Sequence, residues 1–323
     1  MLDKYFCIKD ISTYRSQLMG WAIIWIMMLH FSFKQISPLG FVAQYGYAGV
    51  EMFMFVSGFG LSFSLDKDSR LKTFYKRRFI RIFPVYYLLG IISSVYLFHD
   101  SFLTYLFRYT TIGFWTGQPY WEWYVPSIVI LYLIAPFVKK MVDKHNCYIT
   151  VFVAFVILCL SFFIIANEIV KEKDEHLFCL YRIPAFIFGM QCAFWMKNGI
   201  SGKHYYILLL IGFPFFALLF PCHHEIYNYK YFSLIFLLPF FILCFVLISK
   251  YIKLFSPIVS EIGKASLEVY LIQTLFFHAI LIGYIVIDPK WHDAATILLI
   301  IISSLLGIVV HRLIDKSGIL QRL

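Results

Sequence analysis

Residues 21–33 read WAIIWIMMLHFSF. The run carries no formal charge and is almost wholly apolar, so it reads as a helix made for hydrocarbon, interrupted by one imidazole at His30. Runs of this kind recur along the chain, at 18–33, 47–65, 82–98, 123–138, 148–166, 178–196, 205–220, 231–248, 264–287 and 294–310. A membrane-spanning helix needs about 20 residues, and the shorter runs here extend into polar flanks. The 323 residues are 61% hydrophobic, 20% aromatic and only 14% charged. A soluble domain is nearer half apolar and a quarter charged, so part of the solvent of this chain must be lipid. The predicted fold class is therefore all-α: a polytopic integral membrane protein of about ten transmembrane helices, forming a single domain over 1–323. No internal repeat, low-complexity segment or long linker divides it, and the first apolar run, with no small-residue cleavage site after it, is expected to stay as an anchor.

The net charge of +10 raises nucleic acid as a partner. The basic residues lie between apolar runs and form no soluble face, which excludes that reading and points to the positive-inside rule. With the N-terminus inside, 21 of the 28 Lys and Arg fall on inner segments and seven on outer ones. This three-to-one bias, which an odd number of spans would weaken, predicts that both termini are cytoplasmic in a multi-pass cell-membrane protein. The seven cysteines are scattered, without a C-x-x-C pair, and suggest neither a disulfide framework nor zinc. His223, His224 and Glu225 are the nearest approach to a metal set. Adjacent histidines point apart on regular backbone, so no metal site is expected. Residues 101–120, SFLTYLFRYTTIGFWTGQPY, mix aromatics with Gly, Thr and Pro and suggest a segment lying at the outer interface, as a cavity roof or an aromatic belt.

An imidazole in hydrocarbon is costly unless it faces a partner or a cavity. His30 lies roughly 18 Å along the first span. The second span, with GYAGVEMFMFVSGFG at 46–60, returns from the same side and places Glu51 at similar depth. A carboxylate beside an imidazole would hold its tautomer and raise its basicity, which suits a general base; an interhelical hydrogen bond of purely structural purpose is the alternative. The small residues Ser57 to Gly60 permit close helix approach or the passage of a slender ligand. Lys76, Arg77, Arg78 and Arg81 cluster at the start of the third span, with Arg78 and Arg81 on one helical face. Guanidinium pairs grip phosphate oxygens, so the cluster suits either a phosphorylated ligand or anionic lipid. Arg15 is roughly 22 Å along the helix from His30 and about 60° around it, so the two share a face without touching. Glu122, Trp123 and Arg182 stand near the outer surface, and Glu268, Gln273 and His278 in the ninth span. His278 reads as a core histidine.

Five motifs resemble, in order, those of the acyltransferase-3 family of integral-membrane acyltransferases. The first span ends in a histidine. GVEMFMFVSGF is similar to G-V-[DE]-x-F-x-x-x-S-G-F, RRFIRIFP to R-x-x-R-I-x-P, WYVPSIVILYLIAP to W-[FY]-x(n)-Y-x-x-x-P, and SLEVYLIQ to S-x-x-x-Y-L-x-H. Met19 replaces a basic residue found in many members, with Arg15 one turn earlier, and Gln273 stands where many have histidine. The resemblance implies transfer of an acyl group, usually acetyl from acetyl-CoA as a co-substrate, to a hydroxyl of a cell-envelope glycan, with no permanently bound cofactor. On that basis His30 and Glu51 are the expected catalytic pair, and Arg78, Arg81, Arg77 and Arg15 hold CoA. Glu122, Trp123, Arg182 and Ser57 are expected to bind the acceptor; acyl-CoA, an envelope glycan and membrane lipid are the expected partners. A transporter or flippase for an envelope lipid or glycan is the competing class, but transporters often show two related halves and none is visible here.

Overall fold

The computed structural model describes residues 6–33, 37–68, 70–116, 122–144, 147–166, 175–200, 202–219 and 233–318. His223, His224 and Glu225 lie outside the described residues, as does the end of the 101–120 segment. Every regular element among the described residues is helical. We label the longer helices α1 (Arg15–His30), α2 (Ala48–Lys67), α3 (Leu71–Ile92), α4 (Tyr124–Lys144), α5 (Cys147–Ala166), α6 (Ile183–Lys197), α7 (Lys203–Leu219), α8 (Leu238–Tyr251), α9 (Ser266–Leu281) and α10 (His292–Lys316). Each apolar run read from the sequence falls on one of these. Among the described residues, five helices are long and apolar enough to cross a membrane: Ala48–Lys67, Leu71–Phe98, Tyr124–Lys144, Cys147–Ile164 and Pro289–Lys316. Several of the others are apolar but shorter.

Burial sorts the helices into centre and rim. α2 is apolar on every side, and 78% of its apolar stretch is buried, as expected of a helix surrounded by others. α5 is also apolar throughout, yet only 11% of it is buried. Its exposed Phe152, Phe155, Leu160 and Phe163 suit a helix facing lipid. α2 meets α6 through paired glycines: a Cβ on Gly58 would strike the Phe186 carbonyl, and one on Gly189 the Phe55 carbonyl. Small residues let the backbones approach this closely. α1 meets another face of α2, where a Cβ on Gly49 would strike the Ala22 carbonyl and Ile26. Polar ties reinforce one end of the bundle, where Asp66 of α2 bridges Lys139 of α4 and Lys197 of α6.

The segment after α3 carries a short amphipathic helix. The helix Phe102–Tyr109 exposes Phe102, Leu103, Leu106 and Phe107 on one side, while Tyr109 is buried against Tyr86. Arg108 and Asp100 pair at 3.3 Å.

Candidate active site

His30 ends α1, its ring stacked on Phe277 of α9 at 5.1 Å. Its Nδ1 is 3.0 Å from Oε1 of Gln273, which is fully buried. The next links fix the proton. The Thr274 hydroxyl donates to the Tyr270 carbonyl at 2.8 Å, so its oxygen can only accept from the side. The Gln273 group that meets it at 3.1 Å must therefore be the amide Nε2. That leaves Gln273 Oε1 facing His30, and an acceptor there requires the proton on Nδ1. Nε2 of His30 keeps its lone pair.

Glu51 takes a different partner from the one its depth suggested. Its Oε1 pairs with Nη1 of Arg182 at 3.1 Å, both side chains fully enclosed. The reason is rotational. Glu51 lies about 200° around α2 from Gly49, which faces α1, and within about 20° of Gly58, which faces α6. It therefore turns away from His30 toward Arg182 at the head of α6. Arg182 also stacks over Trp123 at 4.4 Å and donates to the Tyr181 hydroxyl at 3.2 Å. The expectation that Glu51 orients His30 is thus corrected: Gln273 occupies that place.

A cavity of about 100 Å³ joins the parts. His30, Ser57, Trp123, Tyr124, Tyr132 and Arg81 all line it. Of the expected acceptor-binding residues, Ser57 and Trp123 reach this space. Arg182 stands behind Trp123, and Glu122 is buried and receives the Tyr109 hydroxyl at 3.3 Å; neither lines the cavity.

The expected CoA-binding arginines separate into three kinds. Among the described residues neither Arg15 nor Arg78 has a carboxylate partner, whereas Arg81 has one. Arg78 donates to Ser64 Oγ at 2.7 Å and lies over the Phe74 and Tyr132 rings. The Arg15 guanidinium fills the space a Cβ on Gly60 would take, so SGFG serves both helix packing and an arginine. Arg81 is gripped by both oxygens of Glu268, at 2.5 and 3.2 Å. Arg77 instead faces Asp68 at 3.7 Å. Hydrogen bonds from Arg70, with the added charge of Arg77, hold the Asp68 carboxyl at about 2, so it stays ionised.

One contributor was not foreseen. His311 of α10 places Nδ1 3.1 Å from Glu268 and Nε2 3.5 Å from Asp315. The i, i+4 spacing of His311 and Asp315 was visible, but their link to Arg81 crosses helices distant in sequence. His278 is a buried residue packed against Phe98, in keeping with a core histidine.

The acyltransferase-3 family, described as an acyltransferase domain, matches residues 18–313. The chain belongs to this family. A protein of Acidianus two-tailed virus, provisionally named an acetyltransferase, is 31% identical over 187 residues. That match takes in 53% of this chain and 52% of the relative, so the chain spans about half the length of the curated relative it matches. No solved structure matches. The family match extends over His30, Arg77, Arg78, Arg81 and Gln273, and Arg15 lies three residues before it begins.

Proposed function

We propose that the protein transfers an acyl group, acetyl in the simplest case, from acyl-CoA to a hydroxyl of a cell-envelope glycan, from within the cell membrane. We further propose that the chain crosses the bilayer ten times with both termini in the cytoplasm. The reading is carried by one observation: a single narrow cavity is lined by both His30 and Arg81. At about 100 Å³ it suits a slender chain and not a nucleotide. The CoA phosphates dock outside it on Arg15 and Arg78, which lack carboxylates among the described residues, while Arg81 lines the way in. The pantetheine arm reaches along α1 toward His30, a path on the order of 22 Å.

His30 Nε2 then takes the proton of the acceptor hydroxyl as its oxygen attacks the thioester carbonyl carbon. The C–S bond breaks, the acyl group stays on the acceptor oxygen, and the thiolate of CoA recovers the proton from the imidazolium. The same lone pair is also the nucleophile that a two-step route through an acyl-imidazole needs. In both routes Gln273 holds the ring and keeps the proton on Nδ1. Glu51 and Arg182 support Trp123 from behind, and Trp123 and Ser57 flank the acceptor.

The test is release of thiol from acetyl-CoA by purified protein with candidate glycans. His30→Ala should lower kcat by about 10²–10⁴, the range of a general base, with unchanged membrane insertion. Retention of most activity by that variant rules the assignment out. Mass spectrometry of envelope glycans from a deletion strain and its parent identifies the acceptor through an acetyl-sized difference.

A further inference from the structure

Four side chains from three helices form a row of alternating charge that starts at the wall of the His30 cavity. Arg81 of α3 lines the cavity, and its side chain is still 27% exposed, so it can meet a ligand. Glu268 of α9 is fully buried and grips Arg81 with both oxygens. His311 of α10 sets Nδ1 3.1 Å from Oε1 of Glu268, the same oxygen that accepts from Arg81 Nη1. Its Nε2 lies 3.5 Å from Asp315, which is exposed and closes the row. The other charges on the helices packed here are accounted for. Arg312 of α10 and Lys264 both pair with Glu261, and α1 brings Arg15 to this end.

Both ring nitrogens of His311 therefore face acidic oxygens. A neutral imidazole has one N–H and would turn a lone pair on one of the two carboxylates, whereas the imidazolium suits both. In the charged form Glu268 is shared between two cations, and Arg81 keeps positive charge that a carboxylate of its own would cancel. In the neutral form Glu268 serves Arg81 alone. We infer, resting on the acyl-CoA reading, that His311 is a positioning residue for the donor: through Glu268 it sets how much charge Arg81 presents to the CoA phosphate nearest the cavity. Glu268 alone would neutralise Arg81 if burial were the only demand, and a histidine kept for packing needs no carboxylate at each nitrogen. Histidine changes charge between about pH 5 and 8. The donor should therefore lose part of its grip as pH rises through that range and the imidazolium is lost.

Equilibrium binding of CoA to the full-length protein in detergent, at about pH 5.5 and about pH 8.5, reads this without the chemistry of His30. The phosphates of CoA also titrate, so each variant is compared with the unaltered protein at the same pH. His311→Gln keeps a donor for Glu268 without the charge. It should weaken CoA by about three- to tenfold at the lower pH and by less than about twofold at the higher, as for one charge acting through a high effective dielectric. His311→Lys keeps the charge. It should match the unaltered protein at the lower pH and bind CoA about three- to tenfold more tightly than it at the higher. A His311→Gln ratio that does not change with pH overturns the inference, because His311 is then structural. So does a His311→Lys protein that folds and gains nothing at the higher pH. Failure of the docking reading shows separately, as a CoA affinity indifferent to Arg78→Ala at both pH values, and the His311→Gln ratio still decides the role of His311.

Discussion

Replacing Gln273 by leucine tests the reading of His30 most directly. Leucine keeps the volume and removes the acceptor facing Nδ1. Gln273 is fully buried, so no bulk water takes its place. A buried donor left without a partner costs about 1–3 kcal/mol. Applied to the tautomer with the proton on Nδ1, this lowers its ratio to the tautomer protonated on Nε2 by about 5- to 150-fold. The fall should appear in kcat, with KM for acyl-CoA within about twofold, because the arginines that hold the donor are untouched. Gln273→Glu supplies an acceptor-only carboxylate and should return kcat to within about fivefold of the unaltered protein. Thr274→Val, which frees the amide to turn over, should cost about three- to tenfold in kcat. Steady-state thiol release at a fixed pH, with membrane-extracted protein checked for its thermal midpoint, measures all three. If Gln273→Leu leaves kcat within twofold, or raises KM alone, Gln273 does not set the proton on His30. The argument for Nε2 then fails, even if His30→Ala remains dead.

The other predictions concern charge. Arg78→Ala should raise KM for acyl-CoA by about 10- to 100-fold with little change in kcat, as expected for one charge-assisted contact with a phosphate; an unchanged KM would place the phosphates elsewhere. Glu51→Ala should destabilise the protein by about 3–5 kcal/mol by leaving Arg182 buried and uncompensated, whereas Glu51→Leu with Arg182→Met should recover most of the lost thermal midpoint. Asp68→Asn should change KM for acyl-CoA by no more than about twofold, since its contact with Arg77 is long and weak; a larger gain in affinity would mean that Arg77 is held back from the ligand. The Asp68 carboxyl is depressed to about 2, so its ion pairs persist above the ordinary carboxylate range and are lost only as pH falls through about 2. No change in KM between pH 5 and 8 should trace to it.

What the sequence disclosed follows from which interactions are local. The apolar runs reappear as helices because a lipid-facing segment must satisfy its own backbone, and the length of an unbroken apolar run reports that directly. His30, Ser57, Trp123 and Arg81, each singled out in the sequence, line one cavity. The partner of His30 was not legible. Depth alone matched Glu51 to it, and depth does not contain the rotation of α2, which Gly49 and Gly58 set through contacts on opposite sides. Gln273 brings a neutral amide where many members have histidine, and the geometry asks only for an acceptor there. Arg77 and Arg78, adjacent in the chain, diverge because consecutive residues on a helix point about 100° apart; one meets Asp68 and the other Ser64.

The arginines also argue against a purely topological role for this end of the bundle. Positive residues that only set orientation can remain in water, where they cost little. Here Arg78 lies over two aromatic rings, while Arg15, itself still exposed, is seated over Gly60. The two guanidinium groups lie near enough to repel each other. Arg81, deeper and lining the cavity, is matched by Glu268, which is in turn held by His311. A carboxylate is thus paired with the arginine that lines the cavity and, among the described residues, withheld from the two that do not. Neutralising Arg15 and Arg78 as well would relieve their repulsion and stabilise the apo protein. Leaving them unmatched makes sense if an anion completes the site, and phosphate groups on Arg15 and Arg78 with a neutral arm in the cavity past Arg81 satisfy both halves of that pattern.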